Sequence, residues 1–296
     1  MDAQNTTYPA LILKLPASVK ALGMGNVGVV GRDDDVLFYN PAQLVAARGT
    51  SVSAQQFSST ARGGAVSSVS RLNSGGVAVG ATVAEFESGP LVYPVERGGM
   101  LGAGTNLGTS ASLVVGVGQV IKGTRIGGAA KYVDERIANT RNGRALLDVG
   151  VARDVFGYQV GLAVQNIGRA FSPTNPNPGL GSVATDGRRV VSRAMPLRTT
   201  MGAGRGTQAG PFDIAGTAAV SVLRDGFVTP AGGGELAYTW LDGYTVTARA
   251  GARRAEQGEG PVTAGLGLAI DRLTFDYALE SLSGSRLAHR IGVRVR

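Results

Sequence analysis

The stretch "LTFDYALE", Leu273 to Glu280, alternates without a break. Leu273, Phe275, Tyr277 and Leu279 place large apolar groups at every second position, while Thr274, Asp276, Ala278 and Glu280 fill the positions between. Successive side chains of an extended chain point to opposite faces, so the pattern predicts a strand with one apolar face and one polar or small face. A helix would scatter the same residues around its axis.

The pattern recurs outward from there. In "YQVGLAVQ", Tyr158, Val160, Leu162 and Val164 oppose Gln159, Gly161, Ala163 and Gln165. In "ELAYTW", Leu236, Tyr238 and Trp240 oppose Glu235, Ala237 and Thr239. The segments "YTVTARAGAR" (244–253) and "HRIGVRVR" (289–296) repeat it. About fourteen such segments follow Arg48, centred near residues 53, 66, 80, 116, 128, 148, 162, 201, 217, 236, 248, 266, 277 and 292. Their connections obey a parity rule. The even-numbered turns are short: "LNSG", "KGT", "DVFG", "TQAG", "LDG" and "DR". All the long connections are odd-numbered, including "ESGPLVYPVERGGMLGAGTN" and "AFSPTNPNPGLGSVATDGRRVVSRA".

Tight turns at one end and long loops at the other are the layout of a bacterial outer-membrane barrel with an even strand number. No helical segments alternate with the strands to cover them, as an α/β fold would require. An open sheet of this size would leave unpaired edges, whereas closure pairs every backbone group. The expected fold is therefore all-β: a closed antiparallel up-and-down transmembrane barrel of about fourteen strands over residues 47–296. A soluble sandwich, the competing arrangement, would use shorter strands around a shared apolar core. In the barrel the apolar faces meet lipid, and the charged positions Lys131, Arg249, Asp276, Glu280, Arg290 and Arg294 face the lumen.

Composition excludes several alternatives. The 296 residues contain no Cys, which removes disulfides and thiolate chemistry, and one His, His289, which argues against a His-based triad or multi-His metal centre. No nucleophile–base pair is visible, so an enzyme is not expected, nor is a cofactor. The formal charge of +8 comes from scattered Lys and Arg without interleaved aromatics, which points away from nucleic acid. The longest apolar run, "SLVVGVGQVI", is well short of the roughly 18–20 residues of a membrane-spanning helix. The start "MDAQNTTYPALILKLP" lacks the basic and long apolar regions of a signal peptide, leaving a cytoplasmic chain or a processed N-terminus as the expectations. Tyr132, Tyr158, Tyr238, Trp240, Tyr244, Phe275 and Tyr277 supply a thin interfacial belt.

Residues 1–46 lack the alternation. "SVKALGMGNVGVVGRDDDVLFYNPAQLVAA" is glycine-punctuated and weakly helical, and a fourteen-stranded lumen is too wide for wall side chains alone to fill. This segment is expected to fold inside as a plug, with Gly23, Gly25, Asp33, Asp34, Asp35, Asn40 and Pro41 as its sealing or gating elements. The three aspartates are expected to cap a turn or pair with lumenal arginines, since adjacent carboxylates cannot easily surround one metal ion. Asn40-Pro41 is expected to end an apolar step and start a short helix. "GGG" at 232–234 is expected to allow strand curvature or close packing against the plug.

Three stretches carry a resemblance. They are "ALGMGNVGVVGRDDDVLFYNPAQL" (21–44), "LAVQNIGRAFS" (162–172) followed by "MPLRTTMGAG" (195–204), and "SRLAHRIGVRV" (285–295). In this order they resemble the fourteen-stranded outer-membrane superfamily that includes the FadL long-chain fatty acid transporters and the PorV/PorQ proteins of type IX secretion. The chain departs from that pattern in its short length and in ending on Arg296 where such barrels commonly end on an aromatic. The PorV/PorQ resemblance implies a secretion-associated barrel whose external loops dock cargo or partner proteins. The FadL resemblance implies instead a channel for hydrophobic small molecules, with an apolar pocket reaching a lateral opening. A structural envelope barrel is the third alternative. Outer-membrane lipid and lipopolysaccharide are expected surroundings, with a protein partner in the first reading and a hydrophobic ligand in the second.

Overall fold

The computed structural model describes residues 11–58, 61–88, 92–95, 99–102, 106–137, 140–169, 195–256, 259–283 and 286–296. Fourteen strands form one closed antiparallel barrel. They are β1 (Gly49–Ser58), β2 (Ala61–Arg71), β3 (Gly75–Ser88), β6 (Asn106–Ile121), β7 (Thr124–Ile137), β8 (Thr140–Val155) and β9 (Tyr158–Ile167) in the first half. The second half comprises β10 (Arg198–Ala209), β11 (Phe212–Leu223), β12 (Val228–Leu241), β13 (Tyr244–Arg253), β14 (Glu259–Ile270), β15 (Leu273–Leu282) and β16 (Arg286–Val295). Each strand centre expected from the sequence falls inside one of them. The connection after β3 carries an additional hairpin, β4 (Val92–Val95) with β5 (Gly99–Gly102), which pairs only with itself and lacks a sequence signal strong enough to expect.

Neighbours in sequence are neighbours in the sheet. Closure is made by β1 against β16, in register from Thr50 opposite Val295 to Gln56 opposite His289. The tight turns have the backbone that hairpins demand. Lys122 and Gly123, and likewise Phe156 and Gly157, both take positive φ, the type I′ geometry whose twist matches the flanking strands.

The wall has two unlike faces. Val79, Val83, Leu113, Val115, Val117 and Ile291 stand outward and exposed, although they are the most apolar residues of their strands. Such a surface is incompatible with water and matches the lipid-facing band of a transmembrane barrel. Near the tight-turn end, Phe212 packs on Tyr238 at 5.1 Å and Trp240 on Tyr244 at 6.0 Å between ring centres, a belt at the level of one bilayer interface. The chain is a bacterial outer-membrane β-barrel.

The interior is filled by the chain's own N-terminal residues. The short helix α1 (Val19–Gly23) lies against β13–β16, and the single turns Asp34–Phe38 and Pro41–Val45 lie against β1–β3 and β6–β8. Leu22, Leu37 and Leu44 are fully buried, so the apolar core sits between this inner segment and the wall rather than between two sheets. Part of the high glycine content follows from the contact. A Cβ on Gly233 would approach the Met24 backbone to 2.6 Å, and one on Gly127, Gly150 or Gly251 would overlap Pro41, Asn40 or Gly25.

A single charge placed on the outer wall tests this orientation. Val115→Arg, in the middle of β6, is expected to lower unfolding stability in a lipid bilayer by about 2–4 kcal/mol. The same variant in a soluble sandwich would cost little at so exposed a site. Urea titration in phospholipid vesicles distinguishes the two.

Candidate functional site

The inner segment is held by local capping and by a continuous ionic network. Ser18 caps α1 by accepting a hydrogen bond from Ala21 N at 3.0 Å. Asn40 does the same for the turn that begins at Pro41. Its Oδ1 accepts from Ala42 N at 3.1 Å, while its Nδ2 donates to Val29 O at 2.9 Å. Pro41 occupies the first helical position, where its missing N–H costs nothing. Gly25 has φ +74°, and a Cβ there would lie 2.8 Å from both Ala252 O and Gly232 O, so neither the turn nor the fit to the wall admits a side chain. Gly23 sits against Gly265 in β14.

The aspartate run faces the wall. Asp33 stands at a cap position, yet its side chain makes no cap hydrogen bond. That carboxylate is engaged by arginines instead of a cap N–H. Arg294 of β16 donates from Nε to Asp34 at 2.8 Å and from Nη2 to Asp35 at 3.2 Å, and lies 3.5 Å from Asp33. Arg296 also reaches Asp33. Ser67 Oγ donates to the other oxygen of Asp34 at 2.6 Å. On the far side of Arg294, Asp276 lies 3.7 Å away and accepts from Arg249 at 2.6 Å. Arg249 also donates to Glu235 at 2.6 Å, and Lys20 of α1 closes the circuit at 3.1 Å from Glu235 and 3.7 Å from Asp33.

This network holds four cations, Lys20, Arg249, Arg294 and Arg296, and five carboxylates, Asp33, Asp34, Asp35, Glu235 and Asp276. One negative charge is in excess in this set, whose carboxylates are mostly buried while Lys20 and Arg296 are partly exposed. The titration of the inner segment reflects it. Burial, reinforced by Asp34 and Asp33 and only partly opposed by Arg294, raises Asp35 to about 6. For Asp33 burial acts in the same direction, but Lys20, Arg294 and Arg296 together outweigh it and hold the carboxyl well below its usual range. Protonating Asp35 brings the network to neutrality.

Two further clusters lie on the inner face, the first tying the wall to the segment and the second joining wall strands to one another. Arg290 donates to Pro16 O, to Ala17 O at 3.0 Å and to Gln55 Oε1 at 2.7 Å. Gln55 in turn donates to Glu280, which also accepts from Arg253 at 2.7 Å. Lys131 pairs with Asp148 at 2.9 Å and donates to Asn166 at 3.0 Å. Tyr39 lies between these groups, donating to Asn26 at 2.7 Å and accepting from the Ala17 and Ser18 N–H groups. Burial, and then the neighbouring Asp35, push its phenol up to about 12, so it stays neutral.

The structure thus brings Asp33, Asp34, Asp35, Arg249, Asp276 and Arg294 into one cluster and Glu280 with Arg290 into a second. Lys131 lies apart. Sequence reasoning did not single out Lys20, Glu235, Arg253, Arg296, Gln55, Ser67 or Tyr39. The signal for Glu235 was present, since it occupies an inward position of "ELAYTW". Lys20 and Tyr39 gave none, because an irregular segment has no face to read. No group of three or more His, Asp or Glu side chains among the described residues is disposed to hold a metal ion.

No protein-family model matches the sequence, and no curated protein is detectably similar to it. The fold has clear counterparts among solved structures. The Pseudomonas putida toluene transporter TodX superposes with a TM-score of 0.58 at 11% identity, covering 97% of this chain and 96% of its own. The Ralstonia pickettii toluene transporter TbuX gives 0.55 at 13% identity over 95% and 97%. A Pseudomonas aeruginosa FadL homologue gives 0.56 at 10% identity over 94% and 98%. The chain is therefore similar in fold to the FadL-like fourteen-stranded outer-membrane barrels along its whole length. The narrower PorV/PorQ resemblance expected from the sequence has no support in these matches.

Two measurements test the network. Arg294→Met leaves Asp34 buried without its partner and is expected to destabilise the barrel by about 3–5 kcal/mol in a denaturant titration in detergent. The two aspartates set the pH dependence. Asp33, whose carboxyl is lowered, stabilises the seated segment above its ordinary value of 3.8 and loses that contribution as pH falls. Asp35, raised from 3.8 to about 6, stabilises it below 3.8 and loses that contribution as pH rises through about 6. Hydrogen exchange of residues 18–47, corrected for the intrinsic rate, should be slowest near pH 4 and faster by pH 7. Asp35→Asn should remove the loss at the upper end.

Proposed function

We propose that this protein is a channel admitting small hydrophobic molecules across the outer membrane, with the inner segment as its plug. The observation that carries the reading is the wall at Gly63 and Gly64 of β2. Outside, Ala54, Gly64, Val83 and Ile291 line a groove of about 600 Å³, edged by Gln56, Arg62 and His289. Inside, the same two glycines border a small void lined by Ile12, Leu15 and Phe57. Gln55, Thr82 and Arg290 complete the lining of that void, and Gly63 and Gly64 are the wall positions without side chains between it and the groove. The β1–β2 pairing slips register between Gln56 and Ser58, toward the loop end of this hairpin, while Gly63 and Gly64 stay in register with Gln55 and Ala54.

A hydrophobic solute concentrates in the lipid-facing groove because water excludes it. Leaving through the wall between glycines requires displacement of no wall side chain. The plug bars the direct route along the barrel axis, since its ion pairs and buried leucines fill the centre. Similar structures include a toluene transporter and the CymD monoaromatic hydrocarbon channel, which supports a small apolar solute over a polar one. The secretion-associated reading gains no such support, and the long loop 170–194 that it would use for docking lies outside the described residues.

Ala54 points to lipid, so Ala54→Trp fills the groove without disturbing the ladder. Cells producing the barrel, in a host lacking its own hydrocarbon channels, should take up labelled toluene faster than cells without it. The variant, at equal abundance in the outer membrane, should lose most of that gain. Uptake no better than the empty host would sink the reading. A variant as active as the wild type would sink the groove as the route.

A further inference from the structure

Round the barrel from the groove, at the tight-turn end of β8–β10, the lipid-facing wall carries two arginines that have no acidic partner among the described residues. Alternation puts Arg153 of β8 outward with the exposed Val149, Val151 and Val155, and Arg205 of β10 outward with the exposed Met201. The register brings them together. Arg153 stands opposite Val160 and Val160 opposite Ala203, and Arg205 follows two residues on, beside Tyr158. Strands β8 and β10 flank β9, so their backbones are roughly 10 Å apart, and two long side chains can converge on one group.

Arg153 makes no hydrogen bond or ion pair among the described residues, nor does Lys122 at the tip of the neighbouring β6–β7 turn. Arg205 stacks on the Tyr158 ring, 5.1 Å from its centre. Stacking fixes the plane of that guanidinium and leaves its edge N–H groups free to donate. The nearby carboxylates belong to the other face. Asp154 and Asp213 occupy inward positions, and Asp154 is held by Arg125 at 2.9 Å. In the turn that joins β8 to β9, Phe156 is 95% exposed with φ 51°, a conformation that bulky residues seldom take. Water expels such a ring, whereas the boundary between lipid headgroups and acyl chains accepts it.

We infer that this patch binds the headgroup of an anionic phospholipid from the periplasmic leaflet. Position fixes the source. The patch lies on the outer wall, which lipid surrounds, and at the tight-turn end, which is the periplasmic side of such barrels. An arginine at this depth costs little only when its head reaches the phosphate layer, and Arg153 and Arg205 present two planar forks matched to phosphate oxygens. Charge fixes the headgroup. A zwitterionic one brings an ammonium that needs an acceptor, and the outward positions of β8–β10 include no carboxylate. The Tyr158 ring, which could hold an ammonium, already holds Arg205. An anionic headgroup brings the phosphate without the competing cation. Toward the membrane centre, the outward Val151, Leu162 and Met201 give the acyl chains an apolar bed.

The test is native mass spectrometry of the purified barrel in non-ionic detergent, titrated with phosphatidylglycerol or with phosphatidylethanolamine of identical acyl chains. Phosphatidylglycerol is expected to bind about tenfold or more tightly than phosphatidylethanolamine. The double variant Arg153→Gln, Arg205→Gln changes two exposed side chains outside the plug network, and it should fold normally yet lose that preference. Arg136→Gln with Arg141→Gln removes the same charge at the loop end and should keep it. Equal binding of the two lipids by the wild type overturns the anionic headgroup, and a preference that survives Arg153→Gln, Arg205→Gln overturns the site. Glycerophosphoglycerol, the headgroup without acyl chains, competing as strongly as the lipid makes the patch a soluble-anion site and overturns the lipid assignment. A dimer of barrels that the same double variant dissolves overturns it in favour of wall-to-wall contact.

Discussion

Every backbone N–H and C=O group within the hydrocarbon layer must find its partner in the protein, and the rest of the structure answers to that requirement. It forces the sheet to close, and closure is completed by β1 lying antiparallel to β16. Closure at fourteen strands creates a lumen wider than wall side chains can span. The chain resolves that by folding its own N-terminal residues inside and shaving the wall to glycine where they touch. Wall glycines such as Gly127, Gly150, Gly233 and Gly251 are a consequence of that close approach, and others, such as Gly123 and Gly157, serve the turns.

The inner segment is held to the wall in two ways, by apolar clusters such as Leu37 and Leu44 with Val69 and Val114, and by ion pairs. Arg294 gathers the three consecutive aspartates, and the network behind it reaches α1 through Glu235 and Lys20. Buried charges of this kind are costly to separate but gain little over well-packed apolar groups, which makes them better suited to fixing one geometry than to adding stability. The surplus carboxylate leaves the attachment responsive to proton concentration near Asp35.

The barrel was legible from periodicity because lipid and lumen impose opposite demands on adjacent residues, and the alternation survives at every strand. The parity of long and short connections gave the polarity of the barrel for the same reason: tight I′ turns leave a short, glycine-marked trace. The inward charges Lys131, Arg249, Asp276, Glu280, Arg290 and Arg294 could be placed on the lumenal face by counting in twos. Their partners could not be read. Arg294 and Asp34 are 260 residues apart, and nothing in the sequence near Asp34 indicates which strand it faces. Of the two roles expected of the aspartates, capping a turn or pairing with lumenal arginines, Asp33 takes the second and makes no cap hydrogen bond.

By itself, then, the sequence determined the strand count, the two faces and the closure, since each follows from local pattern and from the solvent on either side. Tertiary structure alone decided which charges meet and where the wall is reduced to glycine. Those features depend on the register of fourteen strands and on the path of an irregular segment between them. Period-two alternation carries no information about either.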